Sequence, residues 1–181
     1  MKILLGITGS VAATLTPKII ASLKAAGYEL KVVSTERGLY FFDPAKAGEP
    51  IMRDKDEWTE NRYQRDQGVP HIDLNKWADL FLIAPLTADT LADIANGKAD
   101  KFLTSIARAW PREKPLVVAP AMNTNMWTHP ITGEQLQKIA SWFPNFRVVP
   151  PTERRLACGD VGVGALAEIK SIIDFVSKFE K

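Results

Sequence analysis

Short apolar runs alternate with longer amphipathic stretches along this chain, and this alternation constrains the fold more than any other feature. Lys2–Ile7 and Leu80–Ala84 have the length and composition of buried strands, whereas Val11–Ala26 has apolar residues at helical spacing. Strands that alternate with helices form a mostly parallel sheet, so we predict an α/β fold. The other expected strands are Glu29–Ser34, Leu116–Ala119 and Phe146–Val149.

The helical pattern has two features that bear on the fold. Pro17 should kink the first helix or delay its start, because proline lacks the N–H that a helix interior needs. Asp43–Pro70 is charged and weakly periodic, which indicates an irregular excursion over the surface. No repeat or linker divides the 181 residues, so we predict a single domain, 1–181. Further helices are expected near Thr90–Ala95, Phe102–Trp110 and Leu136–Phe143, and from about Ala165 onwards.

Charge and cysteine content exclude several classes of protein. The net charge is only +2 and the charges are mixed, which argues against a nucleic-acid partner. The apolar runs are too short to span a bilayer, and the polar Thr8-Gly9-Ser10 interrupts the N-terminal run where a signal peptide would continue. Cys158 is the only cysteine, so no intrachain disulfide can form and a reduced, cytoplasmic setting is expected. We predict no metal site.

Small or polar residues follow each of the first four predicted apolar strands. These segments are Thr8-Gly9-Ser10, Thr35, Pro85–Thr90 and Pro120–Asn123. The carboxyl ends of parallel strands meet at one edge of a sheet, where ligands bind in open α/β folds. This convergence predicts a ligand site at that edge.

Two of these segments could bind a nucleotide or a flavin. Gly6–Ser10 opens a helix after a strand, and glycines let a ligand approach the backbone. It is not Gly-x-Gly-x-x-Gly, so a dinucleotide is not indicated, and a tight turn is the plain alternative. Thr87–Thr90 could offer hydroxyls and N–H groups to a phosphate, although threonine and aspartate also cap helices without any ligand.

One histidine and the lone cysteine are candidates for chemistry. His71 is expected near the start of a helix or turn, and a helix N-terminus would disfavour the imidazolium and help to keep a neutral base. A partly exposed loop histidine is the alternative. Cys158 lies in a glycine-rich segment, which favours reactivity, although single cysteines are more commonly small buried apolar residues.

Taken together, five motifs in order resemble those of the phosphopantothenoylcysteine decarboxylases. The resemblance runs from Ile3 to about Ile169. Its motifs are Gly9-Ser10-Val11-Ala12-Ala13, His71-Ile72-Asp73-Leu74 with Trp77-Ala78-Asp79, Ala84-Pro85-Leu86-Thr87-Ala88, Pro120-Ala121-Met122-Asn123-Thr124-Asn125-Met126-Trp127, and Leu156-Ala157-Cys158-Gly159-Asp160.

The resemblance implies a Rossmann-like or flavodoxin-like fold with helices on both faces of an open sheet. It also implies FMN as cofactor and a homotrimer with FMN near the subunit interface. The implied reaction converts 4′-phospho-N-pantothenoylcysteine, a small phosphorylated cysteine-derived substrate, to 4′-phosphopantetheine in coenzyme A synthesis. Oxidation of the cysteine CH₂–SH to a thioaldehyde would let the electrons left by carbon dioxide delocalise as an enethiolate.

The resemblance also assigns roles to individual residues. His71 would act as base or orienting group, and Cys158 would return a proton. Asn123 would hold the substrate carboxylate, Met126 would line the pocket, and Ala157 would contact the substrate. The cofactor residues would be Gly9, Ser10, Val11, Thr35, Phe41, Thr87, Ala88, Asp89, Thr90 and Ala121, with Phe41 covering the flavin.

The chain departs from the family pattern at one cofactor position, and three alternative functions stay open. The family frequently has asparagine where this chain has Asp89, and a carboxylate would repel a phosphate. A peptidyl-cysteine decarboxylase would share FMN, the histidine and the asparagine. A regulatory flavoprotein would bind partners without turnover, and a flavin prenyltransferase would not need the cysteine segment. The matched motifs favour the small phosphorylated substrate.

Overall fold

A six-stranded parallel sheet organises the computed structural model, which describes residues 1–58, 68–155 and 161–180. Its strands are β1 (Lys2–Ile7), β2 (Glu29–Ser34), β3 (Ile51–Met52), β4 (Leu80–Leu86), β5 (Leu116–Pro120) and β6 (Phe146–Val148). They lie in the order β3-β2-β1-β4-β5-β6. The strands β2 and β3 therefore extend the sheet on one side of β1, and β5 and β6 extend it on the far side of β4. The crevice beyond the carboxyl ends of β1 and β4 is where such sheets bind ligands.

Helices and short 3₁₀ turns connect the strands, and an antiparallel hairpin follows β6. The hairpin strands are β7 (Thr152–Arg155) and β8 (Val161–Ala165). The helices are α1 (Thr16–Ala25), α2 (Asp54–Glu57), α3 (Pro70–Trp77), α4 (Ala88–Ala95), α5 (Phe102–Arg108), α6 (Thr124–Trp127), α7 (Pro130–Trp142) and α8 (Ile169–Val176). No helix within these described ranges is long and apolar enough to cross a membrane.

Two apolar cores lie on opposite faces of the sheet. Ile3 packs in the cluster that includes residues of α1 and α8, and its neighbour Leu4 packs in the cluster that includes residues of α5 and α7. Successive strand residues point to opposite faces, so β1 contributes to both cores. Every residue of β4 is buried, as expected for a central parallel strand covered on both faces. The predicted α/β fold with helices on both faces is confirmed.

Proline sets the start of the first helix as predicted. Residues 11–15 form a 3₁₀ turn, and α1 begins at Thr16 with Pro17 in its first turn. The predicted start of the last helix is wrong, because Ala165 belongs to β8 and α8 begins at Ile169. The sequence did not predict the hairpin, because β8 is rich in glycine and the position of β8 depends on tertiary contacts.

The charged segment after Asp43 is more ordered than the sequence indicates. Within its described part, β3 pairs with β2 at the sheet edge, and α2 carries the buried carboxylate Glu57. An irregular surface excursion is therefore the wrong description of residues 43–58 and 68–70. Charge alone misled the prediction, because Glu57 is buried with a partner, His71, that lies 14 positions away.

Candidate active site

A cleft of about 390 Å³ opens at the carboxyl edge of the sheet, within the size range of small-molecule sites. It is bordered by the loops that follow β1, β2, β4 and β5, which is the convergence that the sequence predicts. The predicted residues that line it are Gly9, Ser10, Thr35, Thr87, Ala88, Asp89, Thr90, Ala121 and Met126.

A buried threonine ties the two central loops together. Thr8 Oγ1 donates to the carbonyl of Pro85 at 2.8 Å and accepts from the N–H of Thr87 at 2.9 Å. Both partners lie 77 to 79 residues away in sequence, so this side chain fixes the relative position of the β1 and β4 loops. The neighbouring Gly9 has no room for a side chain, because an added Cβ would lie 2.6 Å from Arg37 Cβ.

The hydroxyl groups that line the cleft also hold its loops in place. Thr87 Oγ1 accepts from the N–H of Thr90 at 3.3 Å and caps α4. Thr35 Oγ1 accepts from the N–H of Gly38 at 3.2 Å, and Ser10 caps the 3₁₀ turn that follows it. The predicted alternative of helix capping is therefore present at these positions, and the same residues also line the cleft.

The sequence prediction missed several residues of the cleft wall, most of them charged. Lys101 Nζ lies 2.6 Å from Asp93 Oδ2 and 3.6 Å from Asp89 Oδ2. Burial alone would raise the pKa of Asp93, but hydrogen bonds from Lys101 and Lys98 lower that pKa below its usual value. The missed residues are Glu36, Arg37, Asp54 and Lys101, together with Met122, which was predicted only as part of the segment Pro120–Asn123.

Some of these residues carried a sequence signal and others did not. Glu36 and Arg37 follow the predicted Thr35 at the carboxyl end of β2, and Met122 follows the predicted Ala121, so the strand-end rule reaches all three. Lys101 and Asp54 lie on other connections. Asp54 Oδ1 accepts from the N–H of Phe102 at 2.9 Å, a contact across 48 residues that no local pattern indicates.

Two predicted cofactor residues lie beside the cleft. Phe41 and the exposed Tyr40 form an edge-to-face pair with centroids 5.2 Å apart, in a depression that shares Gly9 and Arg37 with the cleft wall. Val11 is half exposed and lines a neighbouring hollow together with Ser10, Ala121 and Met122.

Of the predicted substrate residues, Asn123 is the N-cap of the short helix α6 and Met126 lies within it. Asn123 Oδ1 accepts from the N–H of Asn125 at 2.9 Å, which orients its amide, and Met126 lines the cleft. The hairpin of β7 and β8 packs against the loop that follows β5, since the N–H of Met122 donates to the carbonyl of Gly164 at 2.9 Å. Gly164 has φ +147 and lies against the Met122 carbonyl, so a side chain there would collide. Ala157 and Cys158 lie outside the described residues.

His71 forms a pair with a buried carboxylate. Its Nδ1 lies 2.5 Å from Oε1 of Glu57, whose side chain is 5% exposed, whereas that of His71 is 24% exposed. The predicted position near a helix start is confirmed, because His71 is the second residue of α3. Glu57 is a further residue that the sequence did not indicate. His71 is not among the described residues that line the cleft.

Comparisons with known proteins place the chain in a family. A family model described as Flavoprotein matches residues 1–181. The phosphopantothenoylcysteine decarboxylase of Mus musculus is 43% identical over 173 residues, which are 95% of this chain and 83% of that protein.

Two solved structures share the fold at high similarity. A cysteine-to-serine mutant of PPC decarboxylase complexed with pantothenoylaminoethenethiol has a TM-score of 0.92 and 39% identity. The match covers 98% of this chain and 97% of the chain in that structure. The FMN binding protein AtHal3 has a TM-score of 0.87 and 40% identity, covering 98% and 95%. This chain belongs to the Flavoprotein family.

Proposed function

We propose that this chain is an FMN-dependent carboxy-lyase that converts 4′-phospho-N-pantothenoylcysteine to 4′-phosphopantetheine and carbon dioxide, a step of coenzyme A biosynthesis. The observation that carries the proposal is the similarity to PPC decarboxylase complexed with pantothenoylaminoethenethiol, which extends over 98% of the chain. The whole chain, 1–181, would act as one flavoprotein domain.

The cleft residues fit FMN. Hydroxyls of Ser10 and Thr90 and the helix start at Ala88 offer donors for a phosphate, and Ala121 offers an apolar wall. Gly9 lines the cleft without a side chain, so a ligand can approach its backbone closely. When bound, FMN supplies the reversible two-electron oxidation of the cysteine CH₂–SH group that makes loss of carbon dioxide feasible.

His71 would be the group that takes a proton from the substrate. An ionised Glu57 carboxylate would accept the hydrogen of Nδ1, and Nε2 of His71 would then be the atom that takes the proton. The short 2.5 Å contact and the burial of Glu57 fix the ring orientation. A base with a fixed tautomer needs no rearrangement before it accepts the proton.

Asn123 and Met126 would bind the substrate. The Asn123 carbonyl oxygen caps α6, so its amide nitrogen is the atom suited to donate to the substrate carboxylate. Met126 adds an apolar contact at the cleft wall. Ala157 would contact the substrate and Cys158 would donate the final proton. The support for these two residues is the segment Leu156–Asp160, which resembles the family's substrate clamp.

A homotrimer with FMN near the subunit interface would complete the site. His71 is absent from the described wall of the chain's own cleft, which supports a site shared between subunits. The exposed side chains of Tyr40, beside the cleft, and Met126, on its wall, are suited to such an interface. A cytoplasmic setting would suit the reduced Cys158 thiol.

The test is turnover with a defined substrate. Purified protein loaded with FMN should release carbon dioxide from phosphopantothenoylcysteine and form phosphopantetheine, and a peptide ending in cysteine should compete poorly. Preferred turnover of the peptide would replace the proposal with a peptidyl-cysteine decarboxylase. Tight FMN binding with no turnover of either compound would instead indicate a regulatory flavoprotein.

A further inference from the structure

The start of α4 carries a negative charge where a phosphate would bind. Asp89 lies in the first turn of this helix and lines the cleft. A helix N-terminus attracts an anion through its N–H groups, but a carboxylate beside them repels the same anion. The described residues of the cleft wall carry three carboxylates, on Glu36, Asp54 and Asp89, against two cations, on Arg37 and Lys101. A phosphate therefore needs a nearby cation.

Lys101 is the cation placed for this task. Its Nζ lies 3.6 Å from Asp89 Oδ2, and its side chain is 30% exposed and lines the cleft. Asp93 holds it from behind at 2.6 Å, with a side chain that is only 8% exposed. The other oxygen of Asp93 accepts from Lys98 at 3.0 Å. One buried carboxylate thus fixes the Lys101 ammonium group while leaving it at the cleft surface.

We infer that Lys101 binds the phosphate of the cofactor and offsets the repulsion from Asp89, and so makes this chain select FMN over riboflavin. The inference rests on the proposed function only in taking FMN as the ligand. Asp93 acts as a positioning residue, since it contacts Lys101 and is not among the described residues of the cleft wall. The chain can therefore tolerate aspartate at position 89, because a paired lysine stands beside it.

The test compares two flavins that differ only in the phosphate. Flavin-depleted protein is titrated with FMN and with riboflavin, and binding is followed by quenching of flavin fluorescence. Replacing Lys101 by methionine removes a charge-assisted hydrogen bond, so the Kd for FMN should rise about 10- to 100-fold. The Kd for riboflavin should change less than about twofold, because riboflavin has no phosphate to lose contact with.

Lys98→Met is the matched control. Lys98 pairs with the same Asp93 and carries the same charge, but it is exposed and does not line the described cleft. Its replacement should leave both affinities unchanged within about twofold. Asp89→Asn should tighten FMN binding, and it should recover part of the affinity lost in Lys101→Met, because the unscreened carboxylate is then gone.

The outcomes separate this inference from the proposed function. Equal weakening of FMN and riboflavin in Lys101→Met, or no weakening of FMN, would overturn the role of Lys101 while leaving a flavoprotein. Wild-type protein gives a test that needs no variant: its FMN affinity should fall with added salt while its riboflavin affinity stays constant. Parallel salt dependence would contradict the inference. Failure of wild-type protein to bind either flavin would refute the proposed function itself.

Discussion

The cofactor cleft and the proposed catalytic groups are built in different ways. Gly9, Thr35, Thr87 and Ala121 all follow parallel strands, and the sheet itself brings them to one edge. His71 instead lies on α3, a helix outside these strand-end loops, where it pairs with Glu57 of α2. The sheet topology determines where the proposed cofactor residues meet, whereas the position of the proposed base depends on the pairing of α2 with α3.

This difference predicts that binding and chemistry can be separated by mutation. The cleft is held by contacts among its own loops, such as those of Thr8 with Pro85 and Thr87. The Glu57–His71 pair has its own support in the packing of α2 and α3. Substitution of the proposed base should therefore have the largest effect, and substitution of a single ion-pair partner behind the cleft wall should have the smallest.

His71→Asn should abolish turnover and leave the cofactor in place. Loss of a general base lowers kcat by roughly 10²- to 10⁴-fold. The Kd for FMN should change by less than about twofold, because His71 is not among the described residues of the cleft wall. The readouts are carbon dioxide release and flavin fluorescence.

The second histidine supplies the control for that experiment. His129 caps α7 through its ring nitrogen, and asparagine can replace it as a cap. His129→Asn should keep both activity and FMN binding. If His71→Asn loses FMN as well as turnover, the division between binding and chemistry is wrong.

Thr8→Val should destabilise the cleft side of the molecule. The substitution keeps the shape of a buried side chain but leaves the Pro85 carbonyl and the Thr87 N–H without their partner. Unsatisfied buried groups cost about 1–3 kcal/mol, measurable as the free energy of unfolding in urea. Thr14 is exposed, so Thr14→Val should change the free energy of unfolding by less than about 0.5 kcal/mol. Equal stability of the two variants would show that the hydrogen bonds of Thr8 do not stabilise the fold.

Glu57→Gln should slow catalysis through the tautomer of His71. A glutamine amide can donate to Nδ1, which moves the ring hydrogen to Nε2 and lowers kcat on the order of 10-fold. The chain has only two histidines, so ¹⁵N-histidine spectra report the tautomer directly, with His129→Asn giving the assignment. An unchanged tautomer with unchanged kcat would show that Glu57 is only structural.

Asp93 should make the smallest contribution to stability, which is present at neutral pH and is lost in acid. Its pKa is lowered in the folded protein by Lys101 and Lys98, so its stabilisation is present above the ordinary value of 3.8 and is lost as the pH falls through the lower folded value. The free energy of unfolding of the wild type should therefore fall more steeply below about pH 4 than that of Asp93→Asn. Parallel urea-unfolding curves at pH 6, 4 and 3 would contradict this.

The two regions also differ in how far the sequence predicts them. Gly9 and Thr87 could be placed at one edge because apolar strands are recognisable and their carboxyl ends must meet. Glu57 could not, because a buried carboxylate in a charged stretch has no local signature and its partner lies 14 residues away. Lys101 gives no signal either, since its place in the cleft depends on its pairing with Asp93.

The most direct test of the central claim is an anaerobic turnover of phosphopantothenoylcysteine by FMN-loaded protein, in the wild type and in Cys158→Ser. The account predicts equal amounts of carbon dioxide and phosphopantetheine from the wild type, with its flavin absorbance restored at the end. Cys158→Ser should release carbon dioxide, form no phosphopantetheine and leave the flavin bleached, because the final proton is missing. A wild type that binds FMN but releases no carbon dioxide would contradict the account.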